Sequence, residues 1–404
     1  MNQPRLCAWF FYADYLTNHT HYSIYKESIM ETIALNNTAQ MRHRKRSTVR
    51  AKDLKPAAPV NAKTTKPSPS TDTVQKDKVV KATAKRLINT KNLSHDKWLE
   101  VRKQGIGSSD AAAACGIHPF LSMLELWMIK TGRMASNIDE GADGYAPLYW
   151  GNTLEPIVAK YYQKHTGNKV RRVNAILQHP DPDNHFMLAN LDYSVVGSDE
   201  VQILECKTTG EHGAKLWKHG VPLYVTCQVQ HQLAVTGKTA AHICVLLCGH
   251  EAKIYKVERD ERLIESIMEH ERLFWQYVQT DTPPTPDHSE SAARALKQLY
   301  PKPEPNSKID FKNDAGANKL FEQLLSYRDY MQELEQRHDQ VKHQLQSLIK
   351  DHEVAIFDKG AISWKRSKDS VSLDTKAVIK AHPELLAKFS KTRQGSRRFV
   401  VLND

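Results

Sequence analysis

The chain has 404 residues, 40% of them hydrophobic, enough for two or three domains with cores of their own. Its 57 Lys/Arg and 46 Asp/Glu give a net charge of +11, but residues 41–90 alone hold 14 basic and 3 acidic side chains, so the remainder is neutral in sum. No apolar run approaches the ~18 residues of a membrane span, and the six scattered cysteines suit a reducing cytoplasm, not a disulfide framework.

In chain order, residues 1–40 offer no role. The apolar run Leu6–Ala13 is too short for a span and meets Asp14 without a small-residue cleavage site, so no signal peptide is expected, and Met30 and Met41 are alternative starts. Residues 41–91 form a basic Lys/Pro/Thr/Ala/Ser arm with too few large apolar side chains to fold, which reads as a disordered linker or as an attraction for phosphate backbone. The folded part is expected from residue 92. Ser108-Ser109-Asp110 before an Ala/Cys run reads as a capped helix ending at Gly116; with Gly105-Ile106-Gly107 ahead and Arg102 upstream, its start is a place for a phosphate or simply a structural cap. Glu155, just before Pro156, is expected in the opening turn of the helix that continues through Tyr162, where a carboxylate suits the helix dipole.

The densest chemistry follows. Residues 186–196 and 201–206 are β-type runs around the turn signal Gly197-Ser198-Asp199-Glu200, which predicts a hairpin. With those four residues as the loop, Ser194 pairs with Ile203 and Asp192 falls opposite Glu205, their Cβ atoms roughly 5 Å apart. Two carboxylates so placed repel, and a hard cation, Mg²⁺ or Mn²⁺, is the candidate to sit between them. Lys207 shares a face with Glu205 and can hold or help deprotonate a metal-bound water. Cys206 points away, yet its backbone carbonyl can reach an ion. The bland alternative is a solvated hairpin whose lysine neutralises an acid pair. Tyr224–Thr236 then reads as a helix with Tyr224, Gln228 and Gln232 on a polar stripe and Val225, Val229 and Leu233 on an apolar one. His242, Cys244, Cys248 and His250 lie in an apolar run that reads as a buried strand, without the knuckle turn of a zinc site.

Residues 285–315 read as a linker. Between 316 and 352, Leu320, Leu324, Tyr327, Met331, Leu334, His338, Val341, Leu345 and Leu348 keep a 4-3 spacing, a coiled-coil seam with His338 as its one polar interruption. An intermolecular coil, an intramolecular one and a single packed helix all remain open. Residues 353–404 hold a hairpin turning at Asp358-Lys359-Gly360 and a basic tail of Lys388, Lys391, Arg393, Arg397 and Arg398.

The ordered set Arg102, Gly107-Ser108-Ser109-Asp110, Gly151-x-x-Leu-Glu155, Leu191-Asp192, Glu205-x-Lys207 and Gln228-x-Gln230 resembles the YqaJ-type viral recombinases, relatives of the lambda exonuclease within the PD-(D/E)XK nuclease superfamily. The resemblance spans residues 94–284; Leu191 stands where the family usually has Pro. It implies an α/β (α+β) restriction-endonuclease-like core over 92–284, a mixed central sheet flanked by helices, with the coiled-coil and hairpin extension appended. It also implies catalytic metal ligation by Asp192, Glu205, Glu155 and the Cys206 carbonyl, water activation or orientation by Lys207, and 5′-phosphate binding by Arg102, Ser109 and Gln228. The activity so implied is Mg²⁺-dependent 5′→3′ resection of double-stranded DNA ends. Its single-stranded product would pass to an annealing protein of the RecT/Redβ type in a bacterial cytoplasm, from a phage or mobile element. A homo-oligomer, such as a ring-shaped trimer, would be the assembly. An endonuclease on the same core and an inactive DNA-end-binding scaffold are the alternatives.

Overall fold

The computed structural model describes residues 84–135, 147–392, 395 and 397–402, in two compact units that divide between Tyr300 and Pro301. The first unit runs β1 (Lys85–Asn89), α1 (His95–Lys103), β2 (Ile106–Gly107), α2 (Ala111–Ala114), α3 (Met123–Lys130), α4 (Pro147–Thr166), β3 (Val170–Arg172), β4 (Ala175–Gln178), β5 (Met187–Asn190), β6 (Tyr193–Val195) and β7 (Ile203–Thr209). It continues through α5 (Glu211–Ala214), α6 (Leu223–Thr236), β8 (Ala240–Leu247), β9 (Glu251–Glu258), α7 (Glu261–Gln279) and α8 (Glu290–Leu299). The mixed α/β class is as expected.

One sheet has the order β1-β4-β5-β2 and the other β3-β6-β7-β8-β9. β7 and β8 are parallel over seven residue pairs, from Ile203 with Ala241 to Thr209 with Leu247. A parallel pair needs a crossover, and α6 supplies it. Gly237, with φ +66° and its N–H on the Leu233 carbonyl, ends that helix in a left-handed cap. β8 is an almost unbroken apolar run, as suits an interior strand; within it His242 Nδ1 lies 2.8 Å from the Tyr162 hydroxyl and Cys244 is buried. Trp127, Met187, Ile203, Leu233, Ile243 and Phe274 anchor the main core between sheet and helices. No helix among the described residues is long and apolar enough to cross a membrane.

The structure corrects several boundaries. The run 186–196 is not one strand: β5 and β6 belong to different sheets, and the chain bends at Leu191-Asp192. Ile176 pairs with Asn190 and Arg172 with Tyr193, so three residues, 173–175, lie on one side against two, 191–192, on the other. That one-residue mismatch falls where the chain passes from one sheet to the other, at the bend that carries Asp192. The second strand starts and ends later than 201–206 because its extent is set by distant β8, not by the hairpin. Residues 85–89, read as part of a disordered arm, are edge strand β1 against β4. Residues 290–299, read as linker, are α8, whose Ser291 hydroxyl accepts the Ser122 N–H at 2.7 Å. Its fully buried residues are the small Ser291, Ala292 and Ala295, with Leu299 packed partly against the core.

Glu155 is not in an opening turn. α4 starts at Pro147, and Pro156 lies inside it. Asp110 does stand at the N-cap of the four-residue α2, its backbone carbonyl accepting the Ala114 N–H, but its carboxylate makes no cap bond, being drawn to the cations described below.

In the second unit, α9 (Ala315–Ile349) is a continuous 35-residue helix, opened by Asp314, whose side chain accepts the Ala317 N–H. Along the expected seam Leu320, Met331, Leu334 and Leu348 are exposed. β10 (Val354–Phe357) and β11 (Gly360–Ser363) form the expected hairpin, Phe357 pairing with Gly360 across Asp358-Lys359. α10 (Thr375–Ala381) and α11 (Glu384–Phe389) follow. Residues 1–83, and Arg393 of the basic tail, lie outside the described residues.

Candidate active site

All eight residues singled out in the sequence line one cleft of about 360 Å³: Asp192, Glu205, Cys206, Lys207, Glu155, Gln228, Arg102 and Ser109. Five parts of the chain converge there: the β5–β6 bend, the middle of β7, the face of α4 that carries Gly151 and Glu155, the segment from Trp98 to Ser109, and α6 through Gln228.

The expected pairing of Ser194 with Ile203 is present, and Tyr193 with Leu204 follows it. Continuing that ladder sets Asp192 beside Glu205. The Cys206 N–H donates to Asp192 Oδ2 at 2.8 Å, fixing the carboxylate across the bend. Burial, then the carboxylates of Glu205 and Glu155, push the Asp192 carboxyl well above the usual carboxylate range. Burial also raises Glu155, although Arg172 stands 3.3 Å from its Oε1 and works the other way. Burial alone would pull Lys207 down, but Glu205 and Asp192 raise it above the ordinary lysine value, so it is an ammonium at neutral pH.

Glu205 is held more tightly than strand geometry foretells. Lys207 Nζ lies 2.9 Å from its Oε1, the Gln228 amide donates to the same oxygen at 2.6 Å, and the Gln232 amide donates to Oε2 at 2.7 Å. Lys207 also donates to the Gln228 carbonyl at 2.9 Å. Gln228, expected at a phosphate, is therefore spent on the Glu205–Lys207 pair, though it borders the same cleft. Gln232 was legible as part of the polar stripe, but its target was not.

Arg102 sits in a rigid cradle. Its guanidinium lies 4.8 Å from the Trp98 ring centroid, and its Nη2 donates to Ser109 Oγ and Asp110 Oδ1, each at 2.8 Å. Gly107 packs closely beside it: a Cβ there would stand 3.1 Å from Nη2, so the guanidinium would have to shift by a few tenths of an ångström. The Ser108 hydroxyl borders the cleft, buried and without a hydrogen-bond partner.

The donor set suits a hard divalent cation. Three carboxylates face one cleft, two of them pushed up chiefly by burial, and Glu155 Oε1, though 3.3 Å from Arg172, accepts no hydrogen bond. As placed, no group of three or more His, Cys, Asp or Glu side chains among the described residues is arranged to hold a metal ion.

Residues 97–239 match the family of the YqaJ-like viral recombinase domain. The chain is also 34% identical over 322 residues to the uncharacterized protein YqaJ of Bacillus subtilis (strain 168), a match covering 79% of this chain and 97% of that relative. The chain belongs to the YqaJ-like viral recombinase family. Among solved structures, this YqaJ-family chain is similar to the alkaline exonuclease LHK-Exo from Laribacter hongkongensis, with 20% identity, coverage of 50% of this chain and 99% of that one, and a TM-score of 0.38. It is also similar to a phage related exonuclease from Haemophilus somnus 129PT, at 13% identity, 44% and 96% coverage and a TM-score of 0.29.

Proposed function

We propose that this protein is a Mg²⁺-dependent deoxyribonuclease, with Mn²⁺ able to substitute, that resects duplex DNA ends 5′→3′. The observation that carries this reading is a single cleft holding Asp192, Glu205, Glu155 and Lys207 together with the Arg102–Ser109 pair. Asp192, Glu205, Glu155 and the Cys206 carbonyl would hold one or two ions, which when bound polarise the phosphodiester and offset charge on the leaving oxygen.

The chain's own groups do the rest. Lys207, protonated, is a donor that orients the attacking water or stabilises developing negative charge; a general base would need a value near neutral. Gln228 and Gln232 keep Glu205 in one orientation. Arg102, with Ser109, grips a terminal 5′-phosphate, so that the cut falls near the strand end. The product, a 3′ single strand, suits an annealing protein of the RecT/Redβ type. The exposed seam of α9 suits association of copies of the chain, with a ring-shaped trimer as one such assembly.

The test is digestion of linear duplex labelled at either end, beside a closed circle, by wild type and Lys207→Ala in Mg²⁺. Release from 5′ ends that Lys207→Ala abolishes supports the reading. Cutting of the circle would make the protein an endonuclease instead, and binding without Lys207-dependent cleavage a scaffold.

A further inference from the structure

Lys130 poses a physical puzzle. It is a lysine on α3 whose side chain is only 3% exposed, beside the core residues Leu126, Trp127 and Met128. Burying an ammonium costs several kcal/mol unless it is paired. Its Nζ lies 2.7 Å from Asp110 Oδ2 and 2.8 Å from the Arg102 backbone carbonyl, and it does not border the cleft. Whatever it does for a ligand, it does through those two residues.

Asp110 is the hub. Oδ1 accepts from Arg102 Nη2 at 2.8 Å, while Oδ2 accepts from Lys130 and from the Gly107 N–H at 3.0 Å. Burial works against this carboxylate, yet Arg102 and Lys130 hold it far below the usual range, so it is ionised. An ionised Asp110 facing Arg102 alone would cancel the guanidinium charge and repel an arriving phosphate. Lys130 changes the sum: two cations and one anion leave a net +1 around Arg102. Among the described residues, Arg102 Nη1 and Nε have no hydrogen-bond partner, and the unpartnered Ser108 hydroxyl is a further donor at the cleft.

We propose that Lys130 and Asp110 are positioning residues for Arg102: Asp110 fixes the guanidinium, and the buried Lys130 neutralises Asp110 so that the charge of Arg102 stays available for the terminal phosphate. The inference rests on the end-resecting reading above. It goes further in assigning phosphate discrimination to a buried lysine that never meets substrate.

The experiment compares initial rates on 5′-phosphorylated and 5′-hydroxyl linear duplexes for wild type, Lys130→Met, and Lys130→Met combined with Asp110→Asn. Wild type is expected to prefer the phosphorylated end. Lys130→Met, which leaves Asp110 to cancel Arg102, should lose that preference by roughly tenfold or more, while the 5′-hydroxyl rate changes little. The double variant restores the net +1 and should recover part of the preference, which a merely structural role would not produce. If Lys130→Met fails to fold, the double variant, without a buried unpaired charge, still decides: it should prefer phosphate more than an Arg102→Gln control. A discriminating wild type with an equally discriminating Lys130→Met overturns the positioning role alone, as does a double variant no better than the control. A wild type indifferent to the 5′-phosphate overturns both this and the reading it rests on.

Discussion

Asp192→Asn is expected to abolish cleavage and, at the same time, to stabilise the metal-free protein. The register sets Asp192 beside Glu205, with Cβ atoms about 5 Å apart in such a pair. At an effective dielectric of ~20, two like charges about 5 Å apart repel by roughly 3 kcal/mol. Lys207, 2.9 Å from Glu205 Oε1, offsets part of this, and the partial exposure of Asp192 screens more. A net gain of ~1–2 kcal/mol remains. Little is lost in exchange, since the amide oxygen can still accept from the Cys206 N–H. The pH dependence has a definite sign. Because the folded protein raises the Asp192 carboxyl, stability is greatest below the ordinary carboxylate value of about 3.9 and falls as pH rises through the elevated one. At pH 8 in EDTA the substitution should therefore raise the melting temperature by roughly 2–8 °C, at ~2–4 °C per kcal/mol for a unit of this size. Added Mg²⁺ should stabilise wild type and close the gap. A variant that melts at or below wild type in EDTA would refute the repulsion argument.

His231 is fully buried, with Nδ1 2.7 Å from Glu271 Oε1 and Nε2 2.9 Å from the Leu188 carbonyl, a geometry that favours the doubly protonated ring. Burial pulls its value down, but Glu271 outweighs it and raises it, so its contribution is complete below about 6.5 and is lost as pH rises through the folded value. Melting curves from pH 6 to 9 should slope downward in wild type and flatten in His231→Gln; equal slopes would remove His231 from the account. Leu334→Glu places a charge in the middle of the α9 seam and should lower the oligomeric mass in sedimentation while leaving helix content unchanged. An unchanged mass would mean that the seam is not the contact.

The hairpin was legible because two short-range signals agree: a four-residue turn signal and β-type runs of period two, which together put Asp192 opposite Glu205 before any tertiary contact is known. The stripe of Gln228 and Gln232 was legible for a similar reason, since helical spacing places both on one face. Neither signal told what the glutamines grip, because Glu205 lies on a strand some twenty residues earlier in the chain. Lys130 gave no signal at all: a lysine ending a helical segment is ordinarily a solvated C-terminal charge, and only burial beside Asp110 gives it another meaning.

The sequence by itself determined the mixture of helices and strands, the buried apolar strand β8, the hairpin register and the coiled-coil periodicity, and its ordered motifs, through the family resemblance, named the eight cleft residues. These rest on local period, turn chemistry and ordered motifs, all written in neighbouring residues. Only the tertiary structure decided the β5–β6 bend, the extent of β7, the placing of Glu155 beyond the opening turn of α4, and the Arg102–Asp110–Lys130 cluster. Each of those depends on a partner distant in the chain, where packing and desolvation, not local propensity, choose between alternatives of similar local energy.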